Sequence, residues 1–448
     1  MCTRLTLLLS VLLLSAGIKA QNTVNTPFSS YGFGERTYGT DPVTSALGAS
    51  AITYLDSTIV NLNNPSSYNL ISQGQPLFSV GFRSRISQFE QNSDSYSSGV
   101  AMVDHFAMAF SIRKHFGLAF GLKPYARRGY ELTTKELVGT DSLRYTYLGY
   151  GGSNEAFLGL TSTIFKLKKS HLSVGANLGY LFGNATNERR SSIVDNESFL
   201  GGVDRKSIRF KSFHYELGAY FRQDFGDKNS LILSSVIEPA QEISGFRSET
   251  LFFAGNVNNA QSYAVLYDTS NVEGFIKLAP SCAFGLTYSL RTSSNDDNRT
   301  RNSEFLFTGS YTTTDWSQFY SRFDGSDEQF DYTATRKLSL GIQYTPEFQQ
   351  YGVNTGFFER LRYRAGYYSF NMPYKDSGKD INEFGTTFGI GMPITAQQSL
   401  SSLNLGITLG KRGNGESSGF NERFIGINFG IIVAPSNYDR WFRKRKLD

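Results

Sequence analysis

Four histidines, His105, His115, His171 and His214, are where a catalytic or metal-binding reading of this chain has to begin. None stands at metal-ligand spacing from another histidine or from a cysteine, and no nucleophile elbow or phosphate loop accompanies them. His115 falls near a strand end, where a barrel-embedded hydrolase could keep a base, but no Ser or Asp can be assigned to it. His214 and Glu216 alternate with Phe213, Tyr215 and Leu217, which puts them on one face of a strand as lumen lining rather than as a catalytic pair. Arg362 and Arg364 alternate likewise with Leu361, Tyr363 and Ala365. Two guanidinium groups on one face can hold a carboxylate, either a ligand's or one of the chain's own such as Asp56, or can simply solvate an interior. The expectation is a protein that is not an enzyme and needs no metal or cofactor.

The elements that must carry these residues are strands. His171 to Gly183 sets Leu172, Val174, Ala176, Leu178, Tyr180 and Phe182 against Ser173, Gly175, Asn177, Gly179 and Gly183. The same period recurs in Phe106–Ile112, Phe116–Leu122, Leu338–Tyr344, Leu403–Leu409 and Ile425–Val433. Each run is near the ~9–11 residues that cross a bilayer as a tilted strand. About fourteen strands are expected, near 76–91, 98–113, 116–135, 141–166, 171–190, 205–224, 229–246, 274–292, 303–318, 331–345, 360–372, 382–393, 402–412 and 421–433. An even number closes an antiparallel barrel, and closure matters because an open strand edge in hydrocarbon leaves backbone groups unpaired at several kcal/mol each. Composition agrees: 26 Tyr, 37 Phe and 44 Gly beside only 11 Pro suit alternating lipid-facing and lumen-facing positions. The net charge of +5 over 448 residues does not point to nucleic acid. The fold class expected is all-β, a transmembrane barrel, with short periplasmic turns and long outer segments at 191–204, 247–273 and 319–330. Two periplasmic connections, 293–302 and 346–359, are long for that rule.

The chain's ends read differently. Arg4, the apolar run Leu5–Leu14 and small residues up to Ala20 make residues 1–20 a secretory signal peptide, whose removal takes Cys2 and leaves Cys282 as the only thiol. Residues 21–75 are expected to form a plug. Asp41-Pro42 supplies a cap and first helical residue, Gly48-Ala49-Ser50-Ala51 gives a small-residue stretch able to lie against a curved wall, Asp56-Ser57 makes a turn, and Asn64-Pro65-Ser66 closes the segment. Residues 76–433 form the barrel, and 434–448 form a basic periplasmic tail with Trp441 and Phe442, suited to anionic headgroups or a partner. Pro124 sits inside the third strand, where it cannot donate to the ladder; it marks either a bulge at the rim or a break in the wall.

Leu47–Ser67, Tyr147–Phe182 and Leu361–Pro393 together resemble the FadL-like outer-membrane transporters of long-chain fatty acids and hydrophobic compounds. The stretches similar to that family are its small-residue plug with an acidic-Ser turn and Asn-Pro step, its Gly-Gly strand with the following hairpin, and its late Arg-Ala-Gly-Tyr strand. Ser66 stands where the family usually has Ala, and Asn61-Leu62-Asn63 replaces aromatics often found before Asn-Pro. The resemblance implies an outer-membrane location in a Gram-negative bacterium, plug and ligand contacts at Gly48, Asp56, Ser57, Asn64, Pro65 and Ser66, and a lateral gate at Lys123, Pro124 and Tyr125. It implies passive uptake of hydrophobic small molecules, captured by outer residues such as Leu251-Phe252-Phe253, with membrane lipids as surroundings. The same barrels also resemble accessory subunits of type IX secretion, which implies the alternative of a non-transporting interaction protein with secretion-system partners.

Overall fold

The computed structural model describes residues 26–435 apart from 38–40, 93, 114, 140, 194–199, 256, 258–261, 297–298, 348–355, 377, 395–399 and 416–418. Residues 1–20, expected as a signal peptide, and 436–448 of the expected basic tail lie outside the described residues. Fourteen strands form the wall: β1 Leu77–Gln91, β2 Asp94–Arg113, β3 Phe116–Val138, β4 Asp141–Lys166, β5 Ser170–Ile193, β6 Gly201–Phe225, β7 in two parts (Asn229–Glu238 and Gln241–Ala254), β8 in two parts (Ser262–Leu278 and Ser281–Asp296), β9 Arg299–Thr314, β10 Thr335–Thr345, β11 Arg362–Asp376, β12 Lys379–Pro393, β13 Ser402–Gly413 and β14 Asn421–Val433. Each pairs antiparallel with the next, and β14 pairs with β1 from Asn421↔Glu90 to Val433↔Phe78, so the sheet closes.

Burial along the strands is inverted relative to a water-soluble protein. On β10, Leu340 is 49% exposed while its neighbour Ser339 is 1% exposed, and on β12 Phe388 faces out while Thr387 is fully covered. A continuous outer belt of exposed Leu, Ile and Phe around a polar, covered interior is the pattern of a barrel whose outside meets lipid. No helix among the described residues is long and apolar enough to cross a membrane.

Two stretches expected as connections are strand. Most of 247–273 belongs to β7 and β8, and the β8–β9 ladder runs on to Asp296↔Arg299. In 247–273 the apolar residues stand in runs, Leu251-Phe252-Phe253 and Val265-Leu266-Tyr267, and 293–302 is polar throughout, so neither stretch shows the period-two signal although the hydrogen bonding continues. An outer hairpin, Tyr320–Phe323 with Ser326–Gln329, pairs with Gly274–Lys277 of β8.

Residues 26–75 lie inside the wall. Asp41 caps a short helix, Pro42–Ser45, by accepting from the N–H groups of Val43 and Thr44 at 3.1 and 3.0 Å, and Asn64 caps a 3₁₀ helix, Pro65–Leu70, by accepting from Ser66 N–H at 3.0 Å. The segment touches the wall where the wall has no side chain. A Cβ on Gly175 of β5 would strike Pro65 and Ser66, and one on Gly366 of β11 would strike Leu47 and Gly48. Leu47, Tyr54, Ile59, Val60, Leu62 and Tyr68 pack with Ala107, Ala109, Ala119 and Phe157 of the wall into one buried cluster.

Candidate functional site

The most distinctive geometry lies at the β2–β3 seam. Their ladder runs from Arg113↔Phe116 up to Phe106↔Leu122 and stops there. Both strands continue upward, and within the wall β2 pairs only with β1 and β3 only with β4, so the two edges are not paired with each other. Lys123, Pro124 and Tyr125 stand just past the point where this ladder ends. Pro124 still faces Asn154 of β4, but a bulge follows between Pro124 and Ala126, and Tyr125 turns inward and is buried. The β3 edge is then covered from inside by the chain's own N-terminal residues. Glu35 pairs with Arg127, Arg36 with Ala126, Thr37 N–H donates to Tyr125 O at 3.1 Å, and Thr26 N–H donates to Gly129 O at 2.8 Å.

The dipeptide Glu35-Arg36 joins two buried charge clusters. Arg36 reaches Glu238 at 2.5 Å. Glu238 also accepts from Tyr125 Oη at 2.7 Å and faces His214 Nε2 at 3.0 Å; His214 Nδ1 lies 3.1 Å from Glu155, and Lys123 bridges Glu155 and Glu216 at 3.5 and 3.4 Å. Glu35 pairs with Arg412, which is almost wholly buried and also binds Glu383, while Arg85 reaches Glu422 at 2.8 Å. Glu35 is half-buried, and against the desolvation Arg412 and Arg85 hold its carboxyl down to about 2. His214 and Glu216, singled out from alternation, thus sit in a satisfied network. Their partners Glu155, Glu238 and Arg36 escaped notice, although Glu155 shares the inward parity of Ser153 and Phe157.

The lower residues form a separate group. Asp56 accepts from Thr58 N–H at 2.9 Å and Tyr54 Oη at 3.2 Å, and meets Arg362 at 3.2 Å; despite burial, Arg362 keeps its carboxyl below the usual range. Ser57 is the half-buried turn residue between Asp56 and Thr58. Arg364 turns away from Asp56, donating to Gln343 at 2.7 Å and Asn404 at 3.1 Å beside the Tyr54 ring. Gly48 takes φ +67° and donates its N–H to Thr387 at 2.9 Å. Asn64 additionally donates to Ile52 O at 2.8 Å, and Pro65 and Ser66 are buried against the wall.

Beneath the outer segments the space is filled. Phe28, Tyr31 and Phe33 pack with Phe210, Trp316, Phe319 and Phe323, Tyr31 edge-on to Trp316 at 5.2 Å. Leu251 and Phe252 lie on β7, and only Leu251 of these two is exposed. Two open spaces lie lower, and both carry charged side chains in their linings. One of about 170 Å³ is lined by Arg83, Arg85, Arg127 and Lys337, and one of about 110 Å³ by Lys123, Tyr125, Glu155, His214 and Glu238. Arg36, Thr37, Ala49 and Lys337 line both.

A hydrolytic arrangement is present in outline, since Ser79 Oγ lies 2.8 Å from His105 Nε2 and His105 Nδ1 lies 2.9 Å from Asp104. Ser79 and His105 are buried, neither lines either cavity, and the trio pins the bulge of β2 opposite Gly81 and Phe82. No cluster of His, Cys, Asp and Glu able to hold a metal occurs among the described residues.

A family model described as BamG matches residues 1–448, the whole sequence. The chain belongs to the BamG family. No curated relative matches it. Among solved structures, the Pseudomonas putida toluene transporter TodX aligns over 92% of this chain and 99% of its own at 14% identity and a TM-score of 0.52. A Pseudomonas aeruginosa FadL homologue aligns over 89% and 98% at 11% identity and a TM-score of 0.52. The Ralstonia pickettii toluene transporter TbuX aligns over 88% and 97% at 11% identity and 0.50. At these identities the shared property is the fold, and this BamG-family barrel has the FadL-like architecture.

Proposed function

We propose that this protein is an outer-membrane channel for passive uptake of hydrophobic small molecules, fatty-acid-like compounds included, with residues 26–75 as its plug and the β2–β3 seam as a lateral exit into the bilayer. The observation that carries the reading is the ladder's stop at Phe106–Leu122 while both strands run on, in a wall whose other lapse, between β6 and β7, is bridged by Gln241. The 170 Å³ cavity is lined by Ser98, Val100 and Met102 of the free β2 edge, so interior space meets the seam. The FadL-like neighbours described as toluene transporters support the substrate class. No energy source is required; passage needs the covering segment at Glu35-Arg36 to move.

The reading is tested in vesicles containing the full protein and a disulfide across the seam, V103C/P124C. Oleate uptake above that of protein-free vesicles is expected, at least tenfold slower when the pair is oxidised and restored on reduction. No uptake by the unmodified protein would end the channel reading, and unchanged uptake with the seam closed would end the lateral route.

A second reading, an accessory barrel that binds other proteins of a secretion complex, is favoured by one observation: Phe28, Tyr31 and Phe33 already occupy the apolar space beneath the outer segments. Gentle purification followed by mass spectrometry separates the two. A stoichiometric protein partner without bound lipid favours the accessory role.

A further inference from the structure

The lining of the larger cavity does not suit a purely apolar guest. Five cationic side chains, Arg36, Arg83, Arg85, Arg127 and Lys337, face it, against the two carboxylates Glu35 and Glu383. Both carboxylates are engaged by Arg412, Arg36 is matched by Glu238, and Arg85 by Glu422. Arg83 and Arg127 are left differently. Arg127 donates to Ser153 O at 2.6 Å, to Ala126 O at 3.2 Å and to Asn154 Oδ1 at 2.6 Å, all neutral acceptors, and its Nε is buried without a hydrogen-bond partner. Arg83 comes no nearer than 3.8 Å to Asp104 in their ion pair and turns its other end toward Met102 sulfur at 3.4 Å. Lys337 adds a third positive charge, 5.4 Å from the centre of the Tyr368 ring.

A neutral hydrocarbon placed here would strip water from these groups and return no hydrogen bond, which is costly. An anion is the fitting guest. At about 170 Å³ the cavity is smaller than the roughly 300–1,000 Å³ typical of sites that enclose a whole drug-sized ligand. It can hold a compact charged group, and the rest of the molecule must lie elsewhere. The cavity's contact with Ser98, Val100 and Met102 on the free β2 edge supplies that place, because acyl chains can pass through the seam and stay in the bilayer. A single carboxylate satisfies one guanidinium bidentately, whereas a phosphate offers further acceptor oxygens and up to two charges for Arg83, Arg127 and Lys337 together.

We propose that this cavity receives the phosphate head of a membrane lipid that enters sideways through the β2–β3 seam. The inference rests on the seam being open, as in the channel reading, but not on transport. Native mass spectrometry of the full protein, titrated with dioleoyl phosphatidic acid, oleate, dioleoyl phosphatidylcholine or inorganic phosphate, tests it. One phosphatidic acid should bind, at least tenfold more tightly than oleate or phosphatidylcholine, and R83Q/R127Q should weaken it at least tenfold. Should the double variant fail to fold, judged by its heat-dependent gel migration, R83Q and R127Q singly give the same comparison with smaller losses. Oxidised V103C/P124C should exclude phosphatidic acid while still admitting inorganic phosphate. Oleate binding as tightly as phosphatidic acid, inorganic phosphate competing as well as the lipid, or arginine variants binding like the parent would each overturn the proposal. Uptake lost with lipid binding kept would count against the channel and leave this site standing.

Discussion

The wall's ladder lapses at two places, and the two are bridged differently. At the β2–β3 seam the ladder ends at Phe106–Leu122 and does not resume. Between β6 and β7 the ladder also lapses, from Leu217↔Ile237 below to Phe210↔Gly245 above, with Pro239 close by. There the gap is closed by a side chain: Gln241 accepts from Tyr215 N–H at 2.8 Å and donates to Tyr215 O at 2.9 Å, standing in for backbone. Pro280 interrupts β8 directly opposite, yet Leu278↔Gln241 and Ser281↔Glu238 keep one register across the break. A proline in a barrel strand therefore does not open the wall by itself. What decides is whether a neighbour restores the lost hydrogen bonds, as Gln241 does in the plane of the wall and as Glu35-Arg36 does only from inside.

The largest effect should come from removing the inner cover's charged anchor. Arg36→Ala leaves Glu238 with His214 and Tyr125 alone, and breaking a buried pair by removing one partner costs about 3–5 kcal/mol. The measurement is unfolding monitored by heat-dependent gel migration; a loss under about 1 kcal/mol, as for an exposed pair, would mean that the cover is dispensable. Gln241→Leu should come next. It leaves both Tyr215 groups without their substitute partner, at about 1–3 kcal/mol for each buried group, and should turn the β6–β7 interval into a second leak for small dyes. A stable, tight Q241L barrel would show that the two interruptions differ for some other reason.

Acid should separate the two places further. Glu35 falls from 4.5 to about 2 in the folded protein, and Asp56 is also depressed. Carboxyls depressed by folding stabilise above their unfolded values, and that contribution is lost as pH falls through the folded ones. Between about pH 4.5 and 2 the segment 26–75 should therefore become progressively more accessible to an acid-active protease, while the neutral Gln241 bridge holds. Accessibility that stays flat over that window would remove the ion pairs as anchors. The smallest effect is expected for Pro124→Ala, within about 1 kcal/mol, because the β2–β3 ladder has already ended at Leu122 and one added N–H does not restore it. Loss of seam-dependent uptake in P124A would instead make the proline itself the cause of the opening.

Much of the fold was legible because strand parity is a local property. Leu338, Leu340 and Ile342 against Ser339 and Gln343 fix an outside and an inside without knowledge of neighbours. Asp41-Pro42 and Asn64-Pro65 were readable as caps for the same reason. The outer halves of β7 and β8 were hidden, since their apolar residues come in runs, Leu251-Phe252-Phe253 and Val265-Leu266-Tyr267, rather than in alternation. Arg362 meets Asp56, but Arg364 at the same parity does not, because position along the barrel wall decides reach and parity carries no such information.

The amino-acid order alone set a closed barrel of fourteen strands, its lipid-facing side and a small-residue segment destined for enclosed space, since those follow from period, count and the need to pair every backbone group in hydrocarbon. Only the tertiary structure decided where the ladder between β2 and β3 stops, and that Glu35-Arg36 pairs over the β3 edge. Pairing across a seam depends on residues ninety and two hundred positions apart, Arg36 with Ala126 and Arg36 with Glu238, and no local pattern records such neighbours.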